Sequence, residues 1–250
     1  LQNPHALKSQ AIESLCCDNL GNVWIGTLYN GLHVFKPSQN RFARLYPGER
    51  SLETGSSLRL LCKSDSNKVW MVEPGKSLFL YDSENEHVVK RFPTNNTFWL
   101  LGEIISGAED VNGILWCGTA KNGLVRFDPE TRSISNYLPP DSSKNLSHYG
   151  RIGEVAIDSQ DQIWCTNRTR GVYRFNPANK TFTEYPANPQ TGFPLPAGAF
   201  SLLIDKNDLT WCGTNDGLLY FDPTTDGFVQ VDLLNSSTQN GPSVFCISET

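Results

Sequence analysis

Short hydrophobic runs recur along the chain at a regular spacing, and clusters of Asp, Asn, Gly and Pro separate them. Tryptophan marks the spacing best, because five of the six tryptophans follow one another at intervals of 46, 46, 48 and 47 residues. These five are Trp24, Trp70, Trp116, Trp164 and Trp211. A period of this length, kept in register along the chain, indicates a repeated structural unit.

Each repeat is predicted to form four short antiparallel strands, as in the segments IGEVAID, QIWCT, GVYRFNP and KTFTEYP. In the second strand the Trp and its neighbour point to opposite faces, and both are apolar. A sheet that is apolar on both faces must be covered on both faces, which radial stacking of blades achieves. The predicted fold is therefore all-β, a β-propeller of four-stranded blades; a solenoid of antiparallel sheets is the main rival.

The repeat predicts five units and the beginning of a sixth within one propeller domain, residues 1–250. The units cover approximately residues 12–57, 58–103, 104–151, 152–199 and 200–243, and residues 244–250 begin the next. Propellers usually close with about four to eight blades. Five units and one strand do not obviously close a ring, so we expect part of a larger propeller, with seven blades favoured.

Recurrent Asp and Gly residues are predicted to build turns and not to bind calcium or phosphate. An Asp precedes the Trp by six residues in four units, where its carboxylate can accept backbone N–H bonds; these are Asp18, Asp110, Asp158 and Asp205. A Gly precedes the third strand, where a positive φ is expected; these are Gly31, Gly123, Gly171 and Gly217. The second unit departs from the pattern and is predicted to be a degenerate blade.

The repeat register accounts for six of the seven cysteines, which we expect to be free thiols that pack as small buried hydrophobes. Cys117, Cys165 and Cys212 occupy the position after the Trp. Cys16, Cys62 and Cys246 share a position in the first strand, and Cys17 stands outside the pattern. Equivalent positions on adjacent blades lie about 10 Å apart, which is too far for a disulfide.

Charge and motifs exclude several functions. The net charge of −5 and the absence of a basic run argue against nucleic acid and anionic membranes. No motif for metal, nucleotide or acyl chemistry occurs, and the four histidines are scattered, so we expect no cofactor, no metal and no catalytic residue. No apolar stretch is long enough for a spanning helix, so any targeting signal or membrane anchor is expected outside this chain.

The loops between the second and third strands and the connectors between blades vary most, and binding residues are expected there. They offer aromatic rings beside polar and charged groups, a combination suited to a polar ring-bearing ligand such as a sugar. The candidate ligand-binding residues are Tyr29, Trp99, Lys121, His148, Tyr149, Arg168, Arg170 and Asp216. Packing of Trp99 beneath a loop is the alternative for that residue.

The recurring pattern D-x-x-G-x-(I/V/L)-W-(I/C)-G-T, followed by N/D-G-L-x-x-F-D-P, resembles the regulator-propeller repeats of two-component sensors. The resemblance is clearest in DNLGNVWIGTLYNGLHVFKP and EDVNGILWCGTAKNGLVRFDP. It implies the periplasmic sensor region of a hybrid histidine kinase/response regulator, commonly two seven-bladed propellers and a small β-sandwich before a membrane helix. The family offers no shared ligand-binding motif that could be assigned to residues of this chain.

The resemblance further implies a non-catalytic segment that binds a glycan-derived oligosaccharide, with an absent kinase portion that regulates polysaccharide-utilisation genes. A homodimer and a neighbouring propeller domain are expected partners. Two alternatives stay open. A stand-alone propeller lyase similar to the streptogramin lyases requires a catalytic His, for which His148 is the candidate, and a divalent cation. A protein-interaction scaffold binds macromolecules and ignores sugars.

Overall fold

The chain forms twenty short β-strands and a single turn of 3-10 helix in the part that the structure describes. In this computed structural model the described residues are 11–18, 21–28, 31–45, 57–64, 67–85, 87–93, 104–140, 150–168, 170–185, 198–231 and 243–247. The 3-10 turn is Pro37–Gln39. The strands are β1 (Ile12–Cys17), β2 (Val23–Thr27), β3 (Leu32–Lys36), β4 (Arg41–Leu45), β5 (Arg59–Ser64), β6 (Lys68–Glu73), β7 (Ser77–Asp82), β8 (His87–Pro93), β9 (Ile104–Glu109), β10 (Leu115–Thr119), β11 (Leu124–Phe127), β12 (Ile134–Tyr137), β13 (Val155–Ile157), β14 (Ile163–Asn167), β15 (Gly171–Asn176), β16 (Thr181–Tyr185), β17 (Ala199–Ile204), β18 (Thr210–Thr214), β19 (Gly217–Asp222) and β20 (Gly227–Gln230).

Consecutive groups of four strands form five sheets, and each sheet keeps its strands in chain order. Blade 1 is β1–β4, blade 2 is β5–β8, blade 3 is β9–β12, blade 4 is β13–β16 and blade 5 is β17–β20. The chain divides into two compact units, Leu1–Glu109 and Asp110–Thr250. The predicted all-β fold of four-stranded propeller blades is confirmed.

The second strand of each blade carries the repeat Trp, and four of the five indole rings are buried. Trp24, Trp70, Trp116 and Trp164 are each at most 3% exposed, whereas Trp211 is half-buried. The residues beside them on the opposite face are buried as well, as Met71 and Cys165 illustrate. Both faces of the second strand are therefore apolar and covered, as the sequence predicts.

The Asp six residues before the Trp is a turn residue, as predicted, and it has a second role. In blade 4, Asp158 Oδ1 accepts the backbone N–H groups of Gln160 and Gln162 at 3.0 and 2.8 Å. Its other oxygen accepts the indole N–H of Trp164 at 2.7 Å. The carboxylate thus satisfies the polar atom of a buried aromatic ring, which would otherwise cost free energy. Blades 1, 3 and 5 repeat the arrangement.

The Gly-Thr pair after the Trp fixes how one blade leads to the next. The carbonyl of Thr27 accepts the N–H of Leu58, just before blade 2, at 3.1 Å. A Cβ on Gly26 would collide with the carbonyl oxygen of Leu58 and stand 2.5 Å from Ser14 Oγ. In blade 5, Thr214 accepts the N–H of Val244 at 2.8 Å. Glycine therefore admits the incoming backbone at both places.

The sequence places the start of a sixth unit at residues 244–250, of which residues 244–247 are described and are not assigned to a strand. The N–H of Val244 nevertheless donates to the carbonyl of Thr214, as the N–H of Leu58 donates to the carbonyl of Thr27 before blade 2. Among the described residues, no helix is long and apolar enough to cross a membrane.

Blade 2 is a complete blade despite its degenerate sequence. Val72 and Glu73 stand where blades 1, 3 and 5 have Gly-Thr, and Ser64 stands where the other four blades have Asp. The indole of Trp70 donates instead to Glu109 Oε2, from the last residue of β9, at 2.8 Å. A carboxylate from the following repeat therefore replaces the missing local one.

All seven cysteines are free thiols. Cys117, Cys165 and Cys212 are buried, as predicted, and Cys16 and Cys62 are half-buried. The prediction is wrong for Cys246, which is exposed because its segment, residues 243–247, forms no strand and so lies between no pair of sheets.

Candidate functional site

The loops between the second and third strands have well-defined bases. In blades 1, 3 and 5 the Thr three residues after the Trp donates its hydroxyl to the carbonyl of the Gly before or at the start of the third strand. These bonds join Thr27 to Gly31 at 2.7 Å, Thr119 to Gly123 at 2.8 Å and Thr214 to Gly217 at 2.9 Å. The four predicted loop glycines have the expected positive φ, between 72° and 138°. The bases of these three loops are held by the same hydrogen bond, so that side chains beyond them are presented from a fixed platform.

Four of the eight predicted ligand-binding residues lie outside the described residues: Tyr29, Trp99, His148 and Tyr149. Their proposed part in a site stays a prediction. The other four, Lys121, Arg168, Arg170 and Asp216, are described, and all belong to the unit Asp110–Thr250.

Lys121 and Asp216 occupy equivalent loops in blades 3 and 5. Lys121 is exposed, and its backbone carbonyl lies so close to Gly150 that a Cβ there would collide with it. Asp216 is half-buried; its N–H donates to Thr214 Oγ1 at 3.3 Å, and its carbonyl accepts from Gln230 Nε2 at 2.8 Å. The backbone of Asp216 is thus engaged in shaping the loop.

Arg168 and Arg170 share the turn between β14 and β15 but differ in their surroundings. The guanidinium of Arg170 is 3.9 Å from the carboxylate of Glu184, and its backbone N–H donates to the carbonyl of Asn167 at 3.3 Å. Arg168 is exposed, and its guanidinium carbon lies 5.2 Å from the ring centre of Phe200. Arg168 therefore presents its charge to solvent from the face of an aromatic ring.

Phe200 and Phe245 are neighbours that the sequence analysis did not select. Their ring centres are 4.9 Å apart at an interplanar angle of 44°. Phe200 is the extra residue of a bulge, between Ala199 and Ser201, where the β17–β18 register shifts. A bulge turns a side chain out of the regular alternation, which is why the period-two pattern gave no sign of it.

The described residues offer little for nucleophilic or metal chemistry. Burial raises the pKa of the thiols, to about 11 for Cys16 and about 12 for Cys212, and likewise raises the pKa of Cys117 and Cys165. A thiol is nucleophilic as its thiolate, so these cysteines are inert at neutral pH. Within the described ranges, no group of three or more His, Cys, Asp or Glu side chains could hold a metal ion.

Comparisons with known proteins point to one repeat family and one fold. Residues 6–29 match the model of the two-component regulator propeller. The extracellular domain of a putative one-component system from B. thetaiotaomicron is similar in structure, with a TM-score of 0.68, 14% identity, and coverage of 93% of this chain and 31% of that one. No curated protein sequence matches the chain.

Two further solved structures share the fold. The extracellular domain of a putative hybrid two-component system from B. thetaiotaomicron has a TM-score of 0.66 and 18% identity, over 89% of this chain and 30% of that one. A catalytically inactive virginiamycin B lyase from Staphylococcus aureus, with quinupristin, has a TM-score of 0.67 and 14% identity, over 96% of this chain and 76% of that one.

The chain spans about a third of the length of the two B. thetaiotaomicron domains, which share its fold at low identity. The family match rests on sequence and falls on the first repeat, where DNLGNVWIGT carries the recurring pattern. The resemblance to regulator-propeller repeats is thereby confirmed, and the chain contains a repeat of the two-component regulator propeller family.

Proposed function

We propose that this chain is the ligand-sensing propeller of an extracytoplasmic sensor in a two-component system. The match of residues 6–29 to the two-component regulator propeller carries the proposal. The similarity to extracellular domains of two putative signalling systems supports it, including the location outside the cytoplasm. In this proposal the segment itself catalyses nothing, and a histidine kinase elsewhere in the protein relays the signal.

The proposed ligand is an oligosaccharide derived from a glycan, bound at the loops between second and third strands. Exposed Lys121 and Arg168 supply hydrogen-bond donors, and aromatic rings close to Arg168 supply apolar faces. Sugars present hydroxyl groups at their edges and C–H groups on their faces, so they suit such a surface. Signal output then controls genes for polysaccharide use.

Binding is proposed to act by shifting a population. Two arrangements of neighbouring domains, or of two copies in a homodimer, interconvert, and the ligand favours one of them. A ligand can shift this balance only by its difference in affinity for the two arrangements. The well-held bases of the loops favour this mechanism, because a rigid platform transmits a displacement instead of absorbing it.

A propeller lyase is the second candidate, and the structural likeness to virginiamycin B lyase favours it. Such an enzyme requires a general acid or base within reach of its substrate. Of the described histidines, His33 is buried in β3 and His87 is exposed on β8. His5 and His148 lie outside the described residues, and His148 is the candidate that the sequence favours. The lyase hypothesis predicts that the protein acts on quinupristin and that His148→Ala abolishes this activity.

A thermal-shift screen tests the sensor. The protein is heated with a panel of neutral and acidic plant and host oligosaccharides; a ligand present at 100 times its dissociation constant adds about 2.7 kcal/mol to the free energy of unfolding. We expect one sugar to raise the melting temperature, and Arg168→Ala to reduce the shift. Arg91→Ala is the matched control, because Arg91 also lies over a phenylalanine ring, that of Phe79 at 5.4 Å, but on another blade. No shift with any sugar would contradict the proposal.

A further inference from the structure

Arg168, Phe200 and Phe245 form a cluster at the loop end of blades 4 and 5, which we name the aromatic shelf. The guanidinium of Arg168 covers one face of Phe200 at 5.2 Å, and Phe245 packs beside that ring at 4.9 Å. Phe245 keeps 65% of its surface exposed. An exposed ring beside a guanidinium offers a ligand both an apolar face and charge-assisted hydrogen bonds.

Two hydrogen bonds hold the chain segment just before Phe245 in place. Val244 donates its N–H to the carbonyl of Thr214 at 2.8 Å, and Ser243 Oγ donates to the carbonyl of Asn215 at 2.8 Å. These two bonds attach the segment that carries Phe245 to the loop of blade 5. The segment that carries Phe245 is therefore held by hydrogen bonds from the two residues before it, Ser243 and Val244.

Glycine makes room for the ring of Phe200. Gly198 has a φ of 137°, and a Cβ at this position would stand 2.9 Å from Phe200 Cζ and 2.5 Å from Asn215 Nδ2. The ring of Phe200 and the amide of Asn215 thus both lie against the glycine. The shelf has a polar amide at its edge as well as a guanidinium above it.

The charge of Arg168 is available for a ligand. Among the residues that the structure describes, no carboxylate lies within ion-pair distance of it. Two nearby arginines differ: Arg170 pairs with Glu184 at 3.9 Å, and Arg174 pairs with Asp226 at 3.3 Å. An exposed cation on an aromatic face, with no counter-charge among the described residues, can pair with an anion from outside.

The equivalent position in blade 1 shows the contrast. Glu13 is the bulge residue between Ile12 and Ser14, and its carboxylate pairs with Arg59, before the next second strand, at 3.0 Å. There the bulge residue and its partner neutralise each other. In blade 5 the same two repeat positions hold phenylalanines, and the cation comes from the neighbouring loop.

We infer that the aromatic shelf is a subsite for a uronic acid residue, the C–H face of whose ring packs on Phe245 and Phe200 while its carboxylate pairs with Arg168. A planar guanidinium matches a carboxylate through two parallel hydrogen bonds. This inference rests on the proposed function, since it names the class of sugar that the sensor takes.

The test measures binding of galacturonate and mannuronate trimers by isothermal titration calorimetry at low salt, with the methyl esters of both trimers as uncharged counterparts. We expect at least one acid trimer to bind and its ester to bind at least about tenfold more weakly, because a hydrogen bond to a charged group contributes that much. Arg168→Gln should weaken the acid about tenfold and leave the ester unchanged. Phe245→Ala should weaken both by about fivefold.

Arg91→Gln is the control and should change neither affinity. Equal binding of acid and ester, or no effect of Arg168→Gln, overturns the inference. Binding of neutral trimers such as galactotriose while both acid trimers fail also overturns it, but leaves the sensor standing. Failure of every sugar overturns both. Circular dichroism of each variant checks that the blades are still folded.

Discussion

Blades 2 and 5 have the same strand order and the same central Trp. They differ in the residue that accepts the indole N–H and in the residue two positions after the Trp. Blade 5 supplies the indole acceptor from its own turn, Asp205, and admits the following segment over Gly213. Blade 2 borrows its acceptor, Glu109, from the next repeat and carries Val72 at the glycine position. The comparison shows that the indole acceptor can come from a different repeat, and that the fold tolerates a valine at the glycine position.

The loops differ as well. In blade 2 a two-residue turn joins β6 to β7. The backbone N–H of Lys76 donates to the carbonyl of Glu73 at 2.9 Å, and Gly75 has a φ of 74°. Pro and Gly at its centre are typical of a type II turn. The charges there, Lys76 and Glu73, pair at 2.7 Å. Blade 5 carries Phe200 on β17, beside the exposed Arg168 of the blade 4 loop. The two charges of the blade 2 loop thus pair with each other, whereas the guanidinium of Arg168 lies over an aromatic ring.

The largest effect is expected from giving blade 5 the valine of blade 2. In Gly213→Val the new side chain would meet the backbone oxygen of Val244, which stands 2.6 Å from where a Cβ would lie. We expect the free energy of unfolding to fall by about 3 kcal/mol. Gly227→Val is the control, since only Thr225 lies near that glycine, at 3.9 Å. Equal losses in urea denaturation would show that Gly213 has no special role.

The next effect concerns the borrowed acceptor. Glu109→Ala leaves the buried indole N–H of Trp70 without its partner and should lower the free energy of unfolding by about 2 kcal/mol. Adding Ser64→Asp, which restores the carboxylate position of the other blades, should recover part of this loss. Glu84→Ala removes an exposed carboxylate of the same blade and is the control. A double variant no more stable than Glu109→Ala would contradict the equivalence of the two acceptors.

A smaller effect is expected at the closed loop of blade 2. Lys76→Ala removes the cation from buried Glu73, whereas Lys76 itself is 61% exposed. Partly exposed ion pairs contribute little, so we expect a loss of at most about 1 kcal/mol, reduced further by salt. Thermal melts at low and high ionic strength measure this loss of stability. A loss that does not depend on salt would show that turn geometry, and not charge, is responsible.

The smallest effect is expected at Asp205, and its signature is the way stability depends on pH. The indole N–H of Trp211, followed by the backbone N–H groups of Leu209 and Asn207, lowers the pKa of this carboxyl below its ordinary value. Because the pKa is lower in the folded state, the stabilisation is complete above the unfolded pKa of about 4 and is lost as pH falls through the folded pKa. Asp205→Asn should therefore flatten the acid side of the melting-temperature profile between pH 5 and pH 2.5. Parallel profiles for the two proteins would contradict this.

The sequence predicted the repeat because each blade meets the same packing requirement, which leaves the same residues at the same spacing. It also predicted the turn role of Asp158, since an Asp at the same spacing before the Trp in four repeats suits a tight turn. It did not predict that the same carboxylate accepts the Trp164 indole, because six residues of separation say nothing about direction. Phe200 was missed for a related reason: a bulge breaks the alternation from which strand faces are inferred.

The location of the indole acceptors also bears on the order in which the blades can be completed during synthesis. Blades 1, 3, 4 and 5 find the acceptor within six residues of their own Trp, so each has it as soon as its second strand has left the ribosome. Trp70 has to wait for Glu109, 39 residues later. A buried indole without an acceptor is costly, so blade 2 reaches its final stability only when the first strand of blade 3 has emerged. We therefore expect blade 2 and β9 to become protected from proteolysis together, in one step, once residue 109 of the nascent chain has emerged.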